Sequence, residues 1–188
     1  MLSCHDALPH RPRRVLVAGV SGAGKTTLAR RIAAVTGGRH TEIDALYHGP
    51  GWIPRPDFVD DVRAFMADEA WTTEWQYTAA RPLLAEQADL LVWLDLPFLR
   101  VTLPRVVWRT IRRRIQRSEL WNGNIEPPLR TILTNRGHVV RWAISTRNTY
   151  RQRVPPLEAR YPQLVVVRLR SQRAVEQWLA GALSRATL

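Results

Sequence analysis

Lysine is nearly missing from this chain. Of 28 lysines and arginines together, Lys25 is the only lysine. A guanine-reading Asn/Thr-Lys-x-Asp motif therefore cannot exist beside Lys25, which excludes a regulatory GTPase. Cysteine is as scarce. Cys4 stands alone, so no intramolecular disulfide can form and no cysteine-based metal site is expected. No apolar run approaches the ~20 residues that cross a bilayer. Residues 1–13 carry Pro9, Pro12, two histidines, Arg11 and Arg13 but no apolar stretch, unlike a secretory signal. The segment reads as a flexible N-terminal extension. A soluble cytoplasmic protein without a membrane partner is the expectation. Internal repeats and low-complexity segments are absent. His48 and His138 are lone histidines without metal-ligand spacing, read as ordinary polar residues, and no Ser-His-Asp constellation can be assembled.

Positive charge and apolar side chains are what the chain has in quantity. Its 188 residues suit one domain with a small lid or insertion, and 45% hydrophobic residues suffice for a full core. The formal charge of +12 points to anionic partners: nucleotides, phosphorylated substrates, nucleic acid or a membrane surface. Charge alone does not choose among them.

One stretch does choose. Gly19-Val-Ser-Gly-Ala-Gly-Lys25-Thr26 fits G-x-x-x-x-G-K-S/T, the phosphate-binding loop of nucleoside triphosphate-binding proteins. Val15 to Ala18 reads as a short buried strand. Thr27 to Ala34 reads as a helix, with Leu28 and Ile32 four apart on its inner face. Strand, glycine loop and helix are the context the motif needs. Gly19, Gly22 and Gly24 let the backbone curl so that amides of Ser21, Ala23, Thr27 and their neighbours converge on phosphate oxygens, and the helix N-terminus adds favourable charge. Lys25 would reach the β- and γ-phosphates, and the Thr26 hydroxyl would ligate Mg²⁺. Arginine fills every other basic position, but its planar fork cannot replace a point charge on a four-carbon stem inside a tight loop.

Further along, Gly37-Gly38 should stop the first helix. Residues 39–43 read as a second strand ending at Asp44. The Gly-, Pro- and aromatic-rich segment 45–56 reads as a loop or flap, part of an acceptor-side region over about 45–70. Asp57 is a plausible N-cap for a helix whose apolar face is Phe58, Val62, Phe65 and Met66. A third strand over 71–75, a short helix over 81–87 and an apolar strand over 90–94 ending at Asp95 follow. A basic helical region over about 98–118, interrupted near Pro104, begins an arginine-rich lid region over 98–153. Residues 119–128 form a loop with an Asn-Gly turn signal. Residues 129–151 read as helical, with Gly137 inside and Pro155-Pro156 as the break. A last strand over 164–168 precedes a helix capped by Ser171. Alternating strands and helices indicate a three-layer α/β fold with about five mostly parallel strands flanked by helices. Ligands of such sheets gather at the strands' carboxyl ends. That rim should collect the phosphate loop, Asp44, Glu74 and Asp95.

Asp44 and Glu74 are the acids a phosphotransferase needs to organise Mg²⁺ and to orient or deprotonate the acceptor. Asp95 superficially matches an acid that ends an apolar strand beside the metal, and equally a cap of the following helix. Arg105, Arg109 and Arg113 lie four apart, with Arg112, Arg114 and Arg117 nearby. Val107, Trp108, Ile111 and Ile115 form a separate apolar stripe. That pattern predicts a helix packed on one side and cationic on the other, suited to neutralising charge on a moving phosphoryl group. Tyr47, Trp52, Trp75 and Tyr77 flank the expected site and could stack on a base or ring.

These residues together resemble the P-loop kinase group that includes adenylate kinase, shikimate kinase and gluconate kinase. More closely, the chain resembles the adenylate kinase-like proteins also described as DNA topology modulation kinases. The resemblance spans most of residues 14–180. It rests on Gly19 to Thr27, on Ile43 to Tyr47 with Gly51-Trp52, on Trp71 to Tyr77, on Leu94 to Pro97 with its basic follower, and on Leu120 to Glu126. It implies a P-loop NTPase fold over 14–188 with an arginine-bearing helical lid. It also implies ATP and Mg²⁺ as cofactors, with Lys25 and Thr26 on phosphates and metal, Asp44 and Glu74 toward acceptor and metal, and Arg109 and Arg113 in the lid. Arg105 joins Arg109 as a candidate nucleotide contact. Tyr47, Trp52, Trp75, Gln76, Asn122 and Asn124 are candidate substrate contacts. The chain departs from adenylate kinases after the third strand, with Glu74-Trp-Gln-Tyr-Thr in place of Asp-Gly-Phe-Pro-Arg. The expected activity is transfer of the γ-phosphoryl group of ATP to a small anionic or hydroxyl-bearing acceptor. A nucleic-acid-directed kinase or ATPase is the second reading, motivated by charge but without an added nucleic-acid-binding module. A nucleotide-binding module with little catalysis is the third.

Overall fold

The computed structural model describes residues 1–132 and 138–187. Strands β1 (Arg14–Gly19), β2 (Arg39–His40), β3 (Trp71–Glu74), β4 (Leu90–Leu94) and β5 (Val165–Leu169) form one parallel sheet in the order β2-β3-β1-β4-β5. Helices α1 (Lys25–Thr36), α2 (Ile43–Tyr47), α3 (Phe58–Met66), α4 (Arg81–Gln87), α5 (Leu103–Ile115), α6 (Val139–Ser145), α7 (Thr149–Arg153), α8 (Leu157–Arg160), α9 (Gln172–Trp178) and α10 (Ser184–Thr187) complete it. Strand side chains alternate between faces. Leu16, Ala18, Leu91, Trp93 and Val166 pack with α3, α4 and α8 through Phe58, Val62, Phe65, Leu84 and Leu157. Val15, Val17, Leu90, Val92 and Leu169 pack with α1 and α9 through Leu28, Ile32, Val175 and Trp178. Burial on both faces is why these strands read as unbroken apolar runs. The three-layer α/β expectation, five strands included, is met.

The central strand β1 delivers the glycine loop between its neighbours' ends. Val17 is in register with Glu74 of β3, and Gly19 with Leu94 of β4. Gly37 ends α1 in the left-handed conformation, at φ 77°, and the Ser171 hydroxyl caps α9 by accepting the Ala174 amide at 3.1 Å. Phe58, Val62, Phe65 and Met66 are buried as their spacing predicts. Asp57 holds the N-cap position of α3 but makes no side-chain capping bond.

Four expectations need correction. Strand β2 is only Arg39–His40, and Asp44 lies in the first turn of α2 instead of at a strand end. The segment read as a flap without regular helix is α2 up to Tyr47, then a single turn at Pro50–Trp52. Half of the apolar stripe of α5 faces outward: Trp108 and Ile115 are 67% and 77% exposed and Val107 and Ile111 half-buried, whereas Val106 and Thr110 are buried. Val106 packs with Val140 and Ala143 of α6, so tertiary partners, not the widest apolar stripe, set the buried face. Residues 129–151 are not one helix but a short turn at Leu129–Ile132, then α6 and α7, and Gly137 lies outside the described residues. Pro104 sits in the first turn of α5, where its missing N–H costs nothing.

The N-terminal segment is tied down. The Leu2 amide donates to the Val166 carbonyl at 2.7 Å and the Arg168 amide to the Leu2 carbonyl at 2.8 Å, adding a bridge beside β5. Leu2, Cys4 and Leu8 pack against the α1/α9 side of the core. Among the described residues no helix is long and apolar enough to cross a membrane.

Candidate active site

The loop after β1 forms a cradle. Gly24 is the N-cap of α1 at φ 93°, no side chain caps that helix, and its first turn holds no acid. Twelve residues of helix thus begin with amides left for an external acceptor. Gly22 marks where α5 presses on the loop. A Cβ there would lie 2.4 Å from Val106 Cγ2 and 2.5 Å from the Thr102 carbonyl oxygen, whereas a Cβ at Gly24 would meet nothing within 4 Å. The Ala23 amide donates to the Val20 carbonyl at 3.1 Å, closing the turn, so this amide is not among those left for phosphate. Ser21 lies in the loop, and Thr27, exposed, in the first turn of α1.

Lys25 is buried, and its ammonium donates to the Val20 carbonyl at a long 3.4 Å. Burial pushes its pKa down. The charges of Asp44 and Glu74 oppose that shift, and Arg109 adds to it. A buried, weakly bonded cation at an uncapped helix start is a fit for a phosphate group. No group of three His, Cys, Asp or Glu among the described residues could hold a metal by itself. A divalent ion would depend on the Thr26 hydroxyl, with Glu74 behind it, and on phosphate and water oxygens.

Glu74 is 1% exposed at the end of β3. One oxygen lies 3.3 Å from His40 Nε2, the other accepts the Ile43 amide at 3.1 Å, and the Thr26 hydroxyl also bonds the carboxylate. Burial raises its pKa, but these bonds and the His40 charge outweigh burial and hold it below the ordinary carboxylate value. Asp44 stands opposite. Its Oδ1 accepts the Gln76 side-chain amide at 2.9 Å and the Tyr77 hydroxyl at 2.5 Å. Tyr77 sits at φ 58°, its ring stacked on Tyr47 with centroids 3.8 Å apart, and its oxygen lies 3.1 Å from His48 Nε2. Burial, with Asp44 beside it, raises the Tyr77 pKa beyond the ordinary phenol value. Burial lowers that of His48, partly opposed by Asp44.

Arg109 reaches in from α5. Burial depresses its pKa first, the Arg113 charge next, while Glu126 and Asp44 oppose. Its Nε is buried without a partner. Lys25, Thr26, Asp44, Glu74 and Arg109 therefore share one electrostatic neighbourhood. Arg113 stands behind, paired with buried Glu126 at 3.0 Å. Arg105 faces away, exposed, 3.5 Å from Gln172. Asp95 is not available to a metal: Arg151 Nε lies 3.1 Å from one oxygen, and Arg168 bonds the other.

The candidate substrate contacts divide. Tyr47 and Gln76 border Asp44. Trp75 is 4% exposed and belongs to the core, its indole N–H donating to the Arg81 carbonyl at 3.1 Å. Trp52, Asn122 and Asn124 serve a clasp between segment 48–52 and the loop over 119–128. Asn122 donates to the His48 carbonyl and Asn124 to the Gly49 carbonyl, while Trp52 donates its indole N–H to the Ile125 carbonyl at 3.3 Å. Sequence reasoning missed His40 and Glu126, and gave His48 no role. Nothing in their spacing flags them, because each partner lies on another element.

No protein-family model matches the sequence, and no curated relative matches it. Among solved structures, a gluconokinase from Sinorhizobium meliloti 1021 is similar, with TM-score 0.51 and 21% identity over 94% of each chain. A shikimate kinase from Acinetobacter baumannii, solved with shikimate, gives TM-score 0.51 and 16% identity over 89% of each chain. At these identities the likeness shows the fold alone, a parallel α/β sheet shared with these two kinases.

Proposed function

We propose that this protein is a phosphotransferase that moves the γ-phosphoryl group of ATP, with Mg²⁺, to a small acceptor. The observation that carries this reading is the placement of buried Lys25 at the uncapped start of α1, in the shared field of Asp44, Glu74 and Arg109. Lys25 and the loop amides hold the phosphates. Arg109, with a free buried Nε, neutralises charge on the transferring group. Thr26, with Glu74 behind it, would hold Mg²⁺, which would offset phosphate charge when bound. Asp44 orients the acceptor or takes its proton. Membership of the adenylate kinase-like branch is supported by the sequence motifs alone.

Titration of ATP into the protein and a coupled assay of ADP release over nucleosides, nucleotides and sugars test the reading, with Lys25→Ala as control. The variant should lose roughly 100-fold or more in kcat, the ~3–4 kcal/mol of one lost transition-state donor. A protein that binds no nucleotide, or a variant that turns over normally, ends this reading. Tight nucleic-acid binding with a steep salt dependence would favour the nucleic-acid-directed alternative.

A further inference from the structure

Asp44 takes its hydrogen bonds from neutral groups, while Lys25 and Arg109 act on it through space. Both donors to its Oδ1, Gln76 and Tyr77, are uncharged, and among the described residues no arginine, lysine or histidine forms an ion pair with it. Its Oδ2 accepts no hydrogen bond among the described residues. The carboxylate plane is thus fixed from one side, with one oxygen left over.

The holder is itself held. Tyr77 adopts a left-handed backbone, at φ 58°, which a bulky side chain reaches only when its surroundings impose it. Its ring is stacked on Tyr47 and edge-on to Phe58. Behind its hydroxyl stands His48 Nε2 at 3.1 Å. A phenol that donates to a carboxylate has only its oxygen left for the histidine, so Nε2 must carry the hydrogen. His48 Nδ1 is then a bare lone pair, and it is buried without a partner. An unfilled acceptor there is easier to tolerate than an unfilled N–H. The order of donation is therefore fixed as His48 to Tyr77 to Asp44.

We propose that Tyr77, backed by His48, is the positioning residue that aims Asp44 Oδ2 at the acceptor, and that the acceptor is an alcohol and not a phosphate. This rests on the phosphotransferase reading above and narrows it. A phosphate monoester is largely doubly ionised near neutral pH. It has no proton that must be taken for the new bond to form, so an aimed carboxylate oxygen does nothing for it. An alcohol keeps its proton until the new bond forms and needs an aimed base to take it. In the balanced step, an alcohol lone pair forms the bond to the γ-phosphorus. The bond from that phosphorus to the β,γ-bridging oxygen breaks, its electron pair leaving on ADP. The alcohol proton passes to Asp44 Oδ2 and later to water.

The test is a matched acceptor panel with ATP, neutral polyols, sugars and nucleosides against nucleoside monophosphates, with products identified by phosphorus NMR. Only phosphomonoester products from hydroxyl acceptors are expected. Tyr77→Phe, which keeps the ring and its stacking, should lower kcat at least tenfold and leave the ATP dissociation constant unchanged, the latter also confirming that the variant is folded. The loss should fall on kcat with the KM of the hydroxyl acceptor unchanged, the mark of a contact made only in the transition state. A diphosphate product from a nucleoside monophosphate, or a Tyr77→Phe loss that appears in the acceptor KM and not in kcat, overturns the proposal while the phosphotransferase reading stands. Transfer to neither class, with ATP still bound, overturns both.

Discussion

Asn124 accepts the Trp52 amide at 2.9 Å, joining the loop over 119–128 to the turn at Pro50–Trp52 across 72 positions of sequence. The same side chain donates to the Gly49 and Trp121 carbonyls, each at 2.8 Å. It is 4% exposed, so one buried amide holds two loops together.

Asn124→Ala leaves the Trp52 amide and two carbonyls without that partner. A buried polar group so abandoned costs about 1–3 kcal/mol. Chemical denaturation should show a loss of that order, and limited proteolysis should cut faster within 119–126. Unchanged stability and cleavage would mean the clasp is not closed in solution.

Two glycines of the phosphate loop should fail differently. Gly22→Ala drives a methyl into Val106 and the Thr102 carbonyl. Overpacking costs about 1–3 kcal/mol and the left-handed backbone about 1–2 more, so thermal unfolding should shift strongly downward. Gly24→Ala meets open space at φ 93°. It carries only the backbone strain, and its methyl lies at the start of α1. ATP titration should therefore register it more than denaturation does.

Glu74 predicts an acid-dependent term in stability. Its folded pKa lies below the ordinary 4.5 because the bonds from His40, Ile43 and Thr26 outweigh burial. The stabilisation is then fully present above 4.5 and is lost as pH falls through the lowered folded value. His40→Ala removes part of it, about 1.5–3 kcal/mol for a hydrogen bond to a charged group. Denaturation from pH 7 down to 2 should show the gap between the two proteins closing in acid. A gap that stays constant would refute the assignment.

Asp95→Asn separates a structural acid from a metal ligand. The substitution weakens two arginine contacts, from Arg151 and Arg168. Stability should fall by about 1–3 kcal/mol, while the Mg²⁺ dependence of turnover keeps its midpoint. A displaced Mg²⁺ midpoint would restore Asp95 to the metal site.

The sheet was legible because β1 and β4 are buried on both faces and read as apolar runs, and β5 shows three valines in a row before Arg168. The loop was legible because Gly22, Gly24 and Lys25 answer to local geometry. Asp44 was found as a residue but misplaced, since β2 pairs through only two residues and α2 starts early. The exposed face of α5 was misread because two stripes share that helix, and only its docking against Val140 and Ala143 decides between them. Tyr77, His40 and His48 act through partners tens of residues away, 29 positions in the case of His48 and Tyr77. No local period encodes such a contact.

The solitary lysine has a practical side. Lys25 is buried, and its pKa is pushed down by that burial, so more of it is neutral, and nucleophilic, than of an ordinary surface amine. An amine-directed reagent small enough to enter the cradle finds one lysine in the whole chain. Protection of that one lysine, separated by mass spectrometry from the other amine at the N-terminus and followed against nucleotide concentration, would read occupancy of the loop directly, with no engineered tag and no competing lysine signal.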